Sequence, residues 1–281
     1  MSVWNPSGTL LERVLKMNKV SEDAAKSILA RVTTKAKRLK PRFVIYGREG
    51  VGKTSFPAFM SKPLFLMSQG ETGLETLVAN NQLGEIPHLP EFKSWLSFRE
   101  AVKALINDEH DYETIVFDCL DGFETLLFNH VRDNEFNGND SKFNHYRKGQ
   151  RASLAKFKSF LNDLDRLRRE RNCTIVLLAH SRIAARTNPL GIDVTAYEMN
   201  LDKEVAPLIK GWADCMLFMN FLSSVNEDGK GVGGSQRVCY CNPADSYDAK
   251  SRVKMPDCFS LGTSPEEGYK TFVSHYTKGK E

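Results

Sequence analysis

A glycine-rich segment at residues 47–54 constrains the fold of this chain more than any other part of the sequence. The segment reads GREGVGKT and directly follows the apolar run FVIY at 43–46. The pattern G-x-x-x-x-G-K-[ST] is typical of a phosphate-binding loop when a strand precedes it and a helix follows it. We therefore predict a strand over 42–46, then the loop, then a helix from residue 53 to about residue 60.

The residue types of this loop match the chemistry of a nucleoside triphosphate. Glycines allow the backbone amides to wrap the β and γ phosphates, and a helix that begins near Gly52 would point its positive end at them. Lys53 neutralises phosphate charge, and Thr54 offers a hydroxyl to magnesium. Pro57 fits poorly in the early turns of the predicted helix. We predict ATP and Mg²⁺ as ligands, with the nucleotide bound by Gly47, Arg48, Glu49, Gly50, Val51, Gly52, Lys53, Thr54 and Ser55.

Strand and helix patterns alternate through the rest of the chain. Further strands are predicted at 63–67, 112–117, 173–179 and 215–221, and a Ser97–Glu100 capping box is predicted to open the helix between the first two. This alternation predicts an α/β fold with a mainly parallel sheet and helices on both faces. Residues 1–40 are predicted to form an N-terminal helical extension with a basic linker, and residues 41–281 the core with a C-terminal hairpin and tail.

The composition narrows the choice of partners. A formal net charge of +4 on 281 residues is modest, so any contact with nucleic acid must be local. The first residues lack a basic and apolar leader, and no apolar run approaches the length of a membrane span. We expect a cytoplasmic protein with no membrane partner. Its six scattered cysteines suit buried, reduced thiols better than a disulfide framework.

Two further polar groups are predicted to join the loop, because each directly follows a predicted buried strand. Asp118 ends the run TIVFD, one strand-helix-strand excursion after Thr54, and is predicted to complete the magnesium site with it. His180 follows the run VLLA and faces the ligand crevice at the same edge of the sheet. We interpret it as a sensor of the γ phosphate, with a solvent-facing histidine at a strand end as the alternative.

Taken together, these motifs resemble the phage-encoded RecA-like ATPases, including the RecA-core single-strand annealing proteins of phage recombination. The resemblance spans about residues 41–260. It includes the block LIKGWAD at 208–214 and the block DAKSR at 248–252. It implies a RecA-like P-loop core, ATP hydrolysis stimulated by single-stranded DNA, and a homo-oligomer in the form of a ring or a filament. A single-strand-binding protein is a further partner, and the host cytoplasm is the expected location.

The same resemblance implies the position of the catalytic base. Many hexameric ATPases of the AAA+ type place a glutamate directly after the strand-ending aspartate, whereas this chain has Cys119 there. RecA-like ATPases carry the glutamate just after the second strand, where this chain offers Glu71, with Glu75 as a rival. We predict that Glu71 acts as the base, together with the catalytic contributions of Lys53 and His180.

The resemblance also implies a DNA-facing loop and a residue that acts on the neighbouring subunit. Residues 182–200 match the mobile DNA loop, in which Arg182 and Arg186 would contact phosphates and Tyr197 would supply any stacking. Lys250 and Arg252 resemble the basic element that completes the active site of the next subunit. Surface residues of a hairpin are the alternative for that pair.

Three functions remain open on the sequence. The first is a DNA-dependent ATPase that binds single strands and promotes annealing or recombination. The second is a nucleotide-gated oligomeric interaction module with little DNA-dependent turnover. The third is a small-molecule kinase, for which the arginine-rich run at 166–171 would imitate a lid, although that run is better explained as a helix end.

Overall fold

The computed structural model describes residues 29–30, 32–35, 38–187, 191–225 and 231–280. The chain divides into a first unit of residues 1–38 and a second of residues 39–281. Most of the predicted N-terminal helical extension lies outside the described residues. Within the described ranges, no helix is both long and apolar enough to cross a lipid bilayer.

The second unit is organised around one large sheet. In the described residues its strands follow the order β10-β8-β7-β1-β5-β4-β2-β3, with β6 paired to β5 and β9 to β7. The strands from β7 to β3 in that order run parallel, whereas β8 and β10 are antiparallel additions at one edge. The strands are β1 (Arg42–Gly47), β2 (Pro63–Ser68), β3 (His88–Phe92), β4 (Thr114–Asp118), β5 (Thr174–Arg186), β6 (Val194–Met199), β7 (Cys215–Val225), β8 (Gly231–Tyr240), β9 (Lys250–Ser251) and β10 (Cys258–Ser260).

Helices cover both faces of this sheet, which confirms the predicted α/β class. Successive side chains of a strand point to opposite faces, so alternate residues of β1 enter two different cores. One face packs on α2, α3, α5 and α6, and the other on α1, α7 and the segment after the glycine loop. The helices are α1 (Gly73–Ala79), α2 (Trp95–Asn107), α3 (Leu120–Glu135), α4 (Asp140–Asn144), α5 (Lys148–Glu170), α6 (Val205–Trp212) and α7 (Pro265–Lys278).

The segment after the glycine loop differs from the prediction of a helix over 53–60. One α-type hydrogen bond forms there, from Phe56 N to Gly52 O at 3.1 Å, and the chain then makes only a short 3₁₀ helix at Pro57–Phe59. Pro57 has no N–H to continue the ladder, and its ring opposes an α-helical turn before it. The prediction of a helix over 53–60 was wrong because Pro57 ends the α-helical hydrogen bonding after one turn.

Other differences are local. The side chain that caps α2 is Ser94, which accepts from Ser97 N at 3.2 Å, so the predicted capping box at Ser97 is wrong by one turn. The segment 137–151, for which no helix was predicted, contains α4, a short 3₁₀ helix at His145–Arg147 and the start of α5. The edge strand β3 was not predicted, since its HLPEF sequence carries a proline that a central strand would exclude.

Candidate functional site

The carboxyl ends of the parallel strands bring the predicted site residues to one edge of the sheet. β1 ends at Gly47 and β4 at Asp118, while His180 pairs with Gly47 within β5. In the strand order, β5 lies between β1 and β4. This edge is where ligands bind in open α/β sheets, because the loops that leave the strands form a crevice there.

Glycines give the loop its path. Gly50 and Gly52 have φ values of +73° and +99°, a region that side chains with a Cβ rarely adopt. At Gly47 an added Cβ would lie 2.0 Å from Met219 O, so only glycine allows the start of the loop to pass β7. Val51 points away into the core and is fully buried.

Lys53 is a buried cation held within the loop. Its ammonium donates to Arg48 O at 2.9 Å, and only 7% of the residue is exposed. Burial lowers the pKa of Lys53, an effect that the charge of Asp118 opposes. The single carbonyl bond leaves other N–H groups of the ammonium for an anion.

Thr54 and Asp118 contact each other, although β5 lies between β1, which Thr54 follows, and β4, which Asp118 ends. The Thr54 hydroxyl donates to Asp118 Oδ2 at 2.8 Å. Asp118 is 4% exposed, and burial raises its pKa to about 6, although the bond from Thr54 opposes the shift. A hydroxyl beside a buried carboxylate is an oxygen donor set that suits Mg²⁺, and a bound cation would relieve the cost of burying the carboxylate.

Glu71 stands in the turn after β2 and is held by a thiol. Cys119 Sγ donates to Glu71 Oε1 at 2.8 Å, and the Glu71 N–H donates to Ser68 O at 3.1 Å. Burial, with the neighbouring charges of Asp121 and Glu71, raises the pKa of Cys119, so the thiol stays protonated and can donate. The rival Glu75 is exposed on α1 and does not line the pocket formed by the glycine loop, Asp118 and His180.

His180 is oriented by Asp121, a residue that the sequence analysis did not assign to the site. Asp121 Oδ2 lies 2.9 Å from His180 Nδ1, and Asp121 Oδ1 accepts from the backbone N–H of His180 at 3.2 Å. The hydrogen bond to Asp121 raises the pKa of His180. Burial alone would raise the pKa of Asp121, but the bonds and charge of His180 outweigh it and the pKa is lowered.

A carboxylate oxygen of Glu71, the sulfur of Cys119 and a ring nitrogen of His180 lie within 4.8 Å of one another. Cys119 links the other two, because its Sγ also lies 3.4 Å from His180 Nδ1. The Cys119 thiol donates to Glu71, and Nδ1 of His180 faces both Asp121 Oδ2 at 2.9 Å and the Cys119 sulfur, so the four groups form one connected cluster.

These residues surround a pocket of about 410 Å³. Its lining combines the glycine loop without Val51, residues of α1, and the side chains of Glu71, Asp118 and His180. The volume falls in the range of about 300–1,000 Å³ that is usual for small-molecule sites. The open glycine loop, a buried lysine with spare donors and the Thr54–Asp118 pair fit a magnesium-bound nucleotide.

The predicted DNA loop has a different structure from the one expected. In place of a mobile loop, residues 181–186 pair antiparallel with residues 194–199 as a β-hairpin; residues 188–190 lie outside the described residues. Arg182 is exposed, with a 3.7 Å contact to Glu198. Arg186 is paired with both Glu198 and Asp248. Tyr197 is half-buried, and its ring packs 5.1 Å from that of Phe218.

Lys250 and Arg252, which were predicted to act on the neighbouring subunit, differ in their contacts within the chain. Lys250 donates to the carbonyls of Lys210, Gly211 and Ala213, at the C-terminal end of α6. Arg252 contacts Asp214 Oδ1 at 3.1 Å, and its side chain is 55% exposed. Of the two, Arg252 keeps the more accessible charge. The arginines of the 166–171 run do not line this pocket, and Arg168 and Arg171 bind backbone carbonyls.

A family model described as an AAA domain matches residues 39–253. The crystal structure of the RadB recombinase aligns with a TM-score of 0.47 at 12% identity, over 82% of this chain and 90% of that chain. A search of curated proteins gave no match.

Proposed function

The chain belongs to the AAA domain family, and on this premise we propose that it hydrolyses ATP and couples its nucleotide state to single-stranded DNA. The observation that carries the proposal is the course of β5. This strand bears His180 at the nucleotide pocket and, two residues later, the exposed Arg182 of the hairpin. A change in the pocket therefore has a short and rigid path to the hairpin.

Hydrolysis needs a group that activates water beside the γ phosphate. Glu71 lines the pocket with Lys53 and Asp118, and the Cys119 thiol fixes one of its carboxylate oxygens. We assign Glu71 as the base, Lys53 to phosphate charge and Thr54 with Asp118 to the magnesium. When bound, the metal supplies positive charge that stabilises the phosphate oxygens.

The DNA surface is proposed at the hairpin and at the turn before α5. Tyr146 in that turn is 78% exposed, and both Tyr146 and Arg147 have left-handed backbones, with φ of 48° and 59°. Such strained conformations persist where surrounding contacts hold them. Arg147 supplies one of these contacts, since its Nη2 binds both oxygens of Asp202 at 2.7 and 2.6 Å, just beyond β6.

This arrangement ties an exposed aromatic ring to the base of a hairpin that carries an exposed arginine. An aromatic ring can stack on a base of any sequence, and an arginine can neutralise a phosphate, so the surface fits a single strand. The resemblance of the motifs supports three further parts of the proposal. These are a role in annealing or recombination, a ring or filament of identical subunits, and a single-strand-binding protein as partner.

A specific observation favours a second function. Ile183 and Ile192 on the hairpin are 65% and 89% exposed, while Arg186 is neutralised by two carboxylates. Exposed aliphatic side chains suit a protein partner better than a polyanion. The alternative is therefore a nucleotide-gated interaction module in which ATP fixes an oligomer and turnover is slow.

The rate of ATP hydrolysis, measured with and without single-stranded DNA over a series of salt concentrations, separates the two. Stimulation by DNA that weakens with salt supports the first function, because each phosphate contact releases counterions. Hydrolysis that DNA does not change supports the module. Absence of nucleotide binding in the wild-type protein would contradict both.

A further inference from the structure

A second arginine contacts the glycine loop from outside the motif. An ideal Cβ built on Gly52 would lie 3.0 Å from Nη1 of Arg237, so the guanidinium packs directly against the loop backbone. Arg237 belongs to β8, which is separated by 185 residues of sequence from Gly52. No motif in the sequence marks it.

The sheet explains this approach. Gly47 of β1 pairs with Met219 of β7, and Met219 pairs with Cys239 of β8. β8 runs antiparallel, so two residues back from Cys239 the chain reaches Arg237, beyond the level at which β1 becomes the loop. Side chains two residues apart share a face, and Cys239 is buried in the same core as Val51. Arg237 therefore lies on the loop side of the sheet.

The guanidinium keeps donors for a ligand. Arg237 Nη2 donates to Gly262 O at 3.3 Å, and the backbone carbonyl of Arg237 accepts from Leu261 N at 2.9 Å. These two bonds hold the residue against the segment 261–262. Within the part of the chain that the structure describes, no carboxylate lies within ion-pair distance of Arg237. The carboxylate of Glu267 instead accepts from Thr263 N at 2.9 Å and from Thr263 Oγ1 at 3.2 Å. A guanidinium has several N–H groups, and most of those of Arg237 are unused.

The shortness of the helix after the glycine loop explains what the positive charge of Arg237 contributes. A phosphate-binding loop ordinarily gains positive potential from the aligned peptides of the helix that follows it. Here Pro57 ends the α-helical geometry after one turn, so that contribution is reduced. A partly buried arginine beside Gly52 supplies positive charge at the same place.

We propose that Arg237 binds the phosphate chain of the nucleotide from the same subunit, next to Gly52, and replaces part of the potential that the truncated helix lacks. The inference rests on the proposed function, since it requires the loop to bind a nucleoside di- or triphosphate. It assigns Arg237 to nucleotide affinity and leaves the activation of water to Glu71.

Fluorescence titration of mant-ADP and mant-AMP-PNP with magnesium tests the proposal in the full chain. Arg237→Gln keeps a side-chain donor for Gly262 O but removes the charge, and Arg237→Lys keeps the charge. We expect Arg237→Gln to weaken binding of at least one nucleotide about tenfold or more, since it removes a positively charged hydrogen-bond donor to the phosphates. Arg237→Lys should recover part of the loss.

Arg169→Gln, an exposed arginine on α5, is the matched control and should bind like the wild type. Thermal unfolding without nucleotide checks that each variant folds. If Arg237 only braces the loop against Gly262, Arg237→Gln binds both nucleotides as the wild type does, which overturns the inference and leaves the proposed function intact. A wild-type protein that binds neither nucleotide overturns both.

Discussion

The thiol of Cys119 donates a hydrogen bond to the carboxylate of Glu71, with a Sγ–Oε1 distance of 2.8 Å. The two residues follow β4 and β2, which are neighbours in the sheet. Many hexameric ATPases of the AAA+ type place a glutamate where this chain has Cys119. The cysteine instead holds a glutamate from the adjacent strand, so the carboxylate reaches the crevice by a different route.

Glu71→Gln should bind ATP like the wild type and lose hydrolysis by about 100-fold or more, because an amide cannot accept a proton from water. Single-turnover hydrolysis and mant-nucleotide binding measure the two effects separately. Lys53→Ala is the contrasting variant, since it removes the buried cation that is proposed to bind phosphate and should lose binding itself. Normal hydrolysis by Glu71→Gln would exclude Glu71 as the base.

Cys119→Ala should lower kcat about tenfold with little change in KM, because Glu71 loses the donor that orients it. Cys119→Ser keeps a donor and should recover part of the rate. Cys173→Ala removes a buried thiol that contacts Tyr112 O, away from the pocket, and is the matched control. Equal kcat values for Cys119→Ala and the control would show that the thiol does not position the base.

Asp118→Asn should stabilise the protein at neutral pH when magnesium and nucleotide are absent. Burial raises the pKa of Asp118 from 3.8 to about 6, so the ionised carboxylate destabilises the folded state by about 3 kcal/mol. Above pH 6 the folded wild-type protein bears this penalty in full. As the pH falls through 6 toward 3.8 the folded carboxyl becomes protonated, and the penalty disappears.

Denaturant unfolding at about pH 7.5 and about pH 4 therefore gives the measurement for Asp118→Asn. The gain over the wild type should be largest at the higher pH and close to zero at the lower one. Asp133→Asn, on the exposed part of α3, makes the same chemical change outside the site and is the matched control. A gain of equal size at both pH values would contradict the buried, ionised state of Asp118.

Arg182→Ala should reduce the slope of log affinity against log salt for single-stranded DNA by ~0.7, the value for one phosphate contact. Arg186→Ala should change the slope less, because Glu198 and Asp248 already neutralise Arg186. Its main effect should be a lower unfolding temperature. Filter binding over a salt series compares the two variants, and a larger slope change for Arg186→Ala would reverse the assignment.

Arg252→Ala should leave the unfolding free energy within about 0.5 kcal/mol of the wild type, whereas Lys250→Ala should lose about 1–2 kcal/mol. The reason is that Lys250 binds three carbonyls at the end of α6, while Arg252 is largely exposed. If Arg252 completes the neighbouring site, mixing Arg252→Ala with Lys53→Ala protein should restore part of the ATPase activity. Absence of recovery at every mixing ratio argues against a shared site.

Local chemistry made some features accessible from the sequence. Glycine at positions 50 and 52 is required by their φ angles, and the apolar runs before Asp118 and His180 are long enough to predict buried strands that end at one sheet edge. These are properties of neighbouring residues, so periodicity and residue type suffice for them.

The sequence by itself therefore determined the phosphate-binding loop, the strands that deliver Asp118 and His180, and the α/β class. Only the tertiary structure decided that Asp121 holds His180, that Cys119 holds Glu71 and that Arg237 lies against Gly52. Each of these pairs joins residues far apart in the chain, and their contact depends on strand order and register. Those are set by how the whole sheet packs, which no local pattern contains.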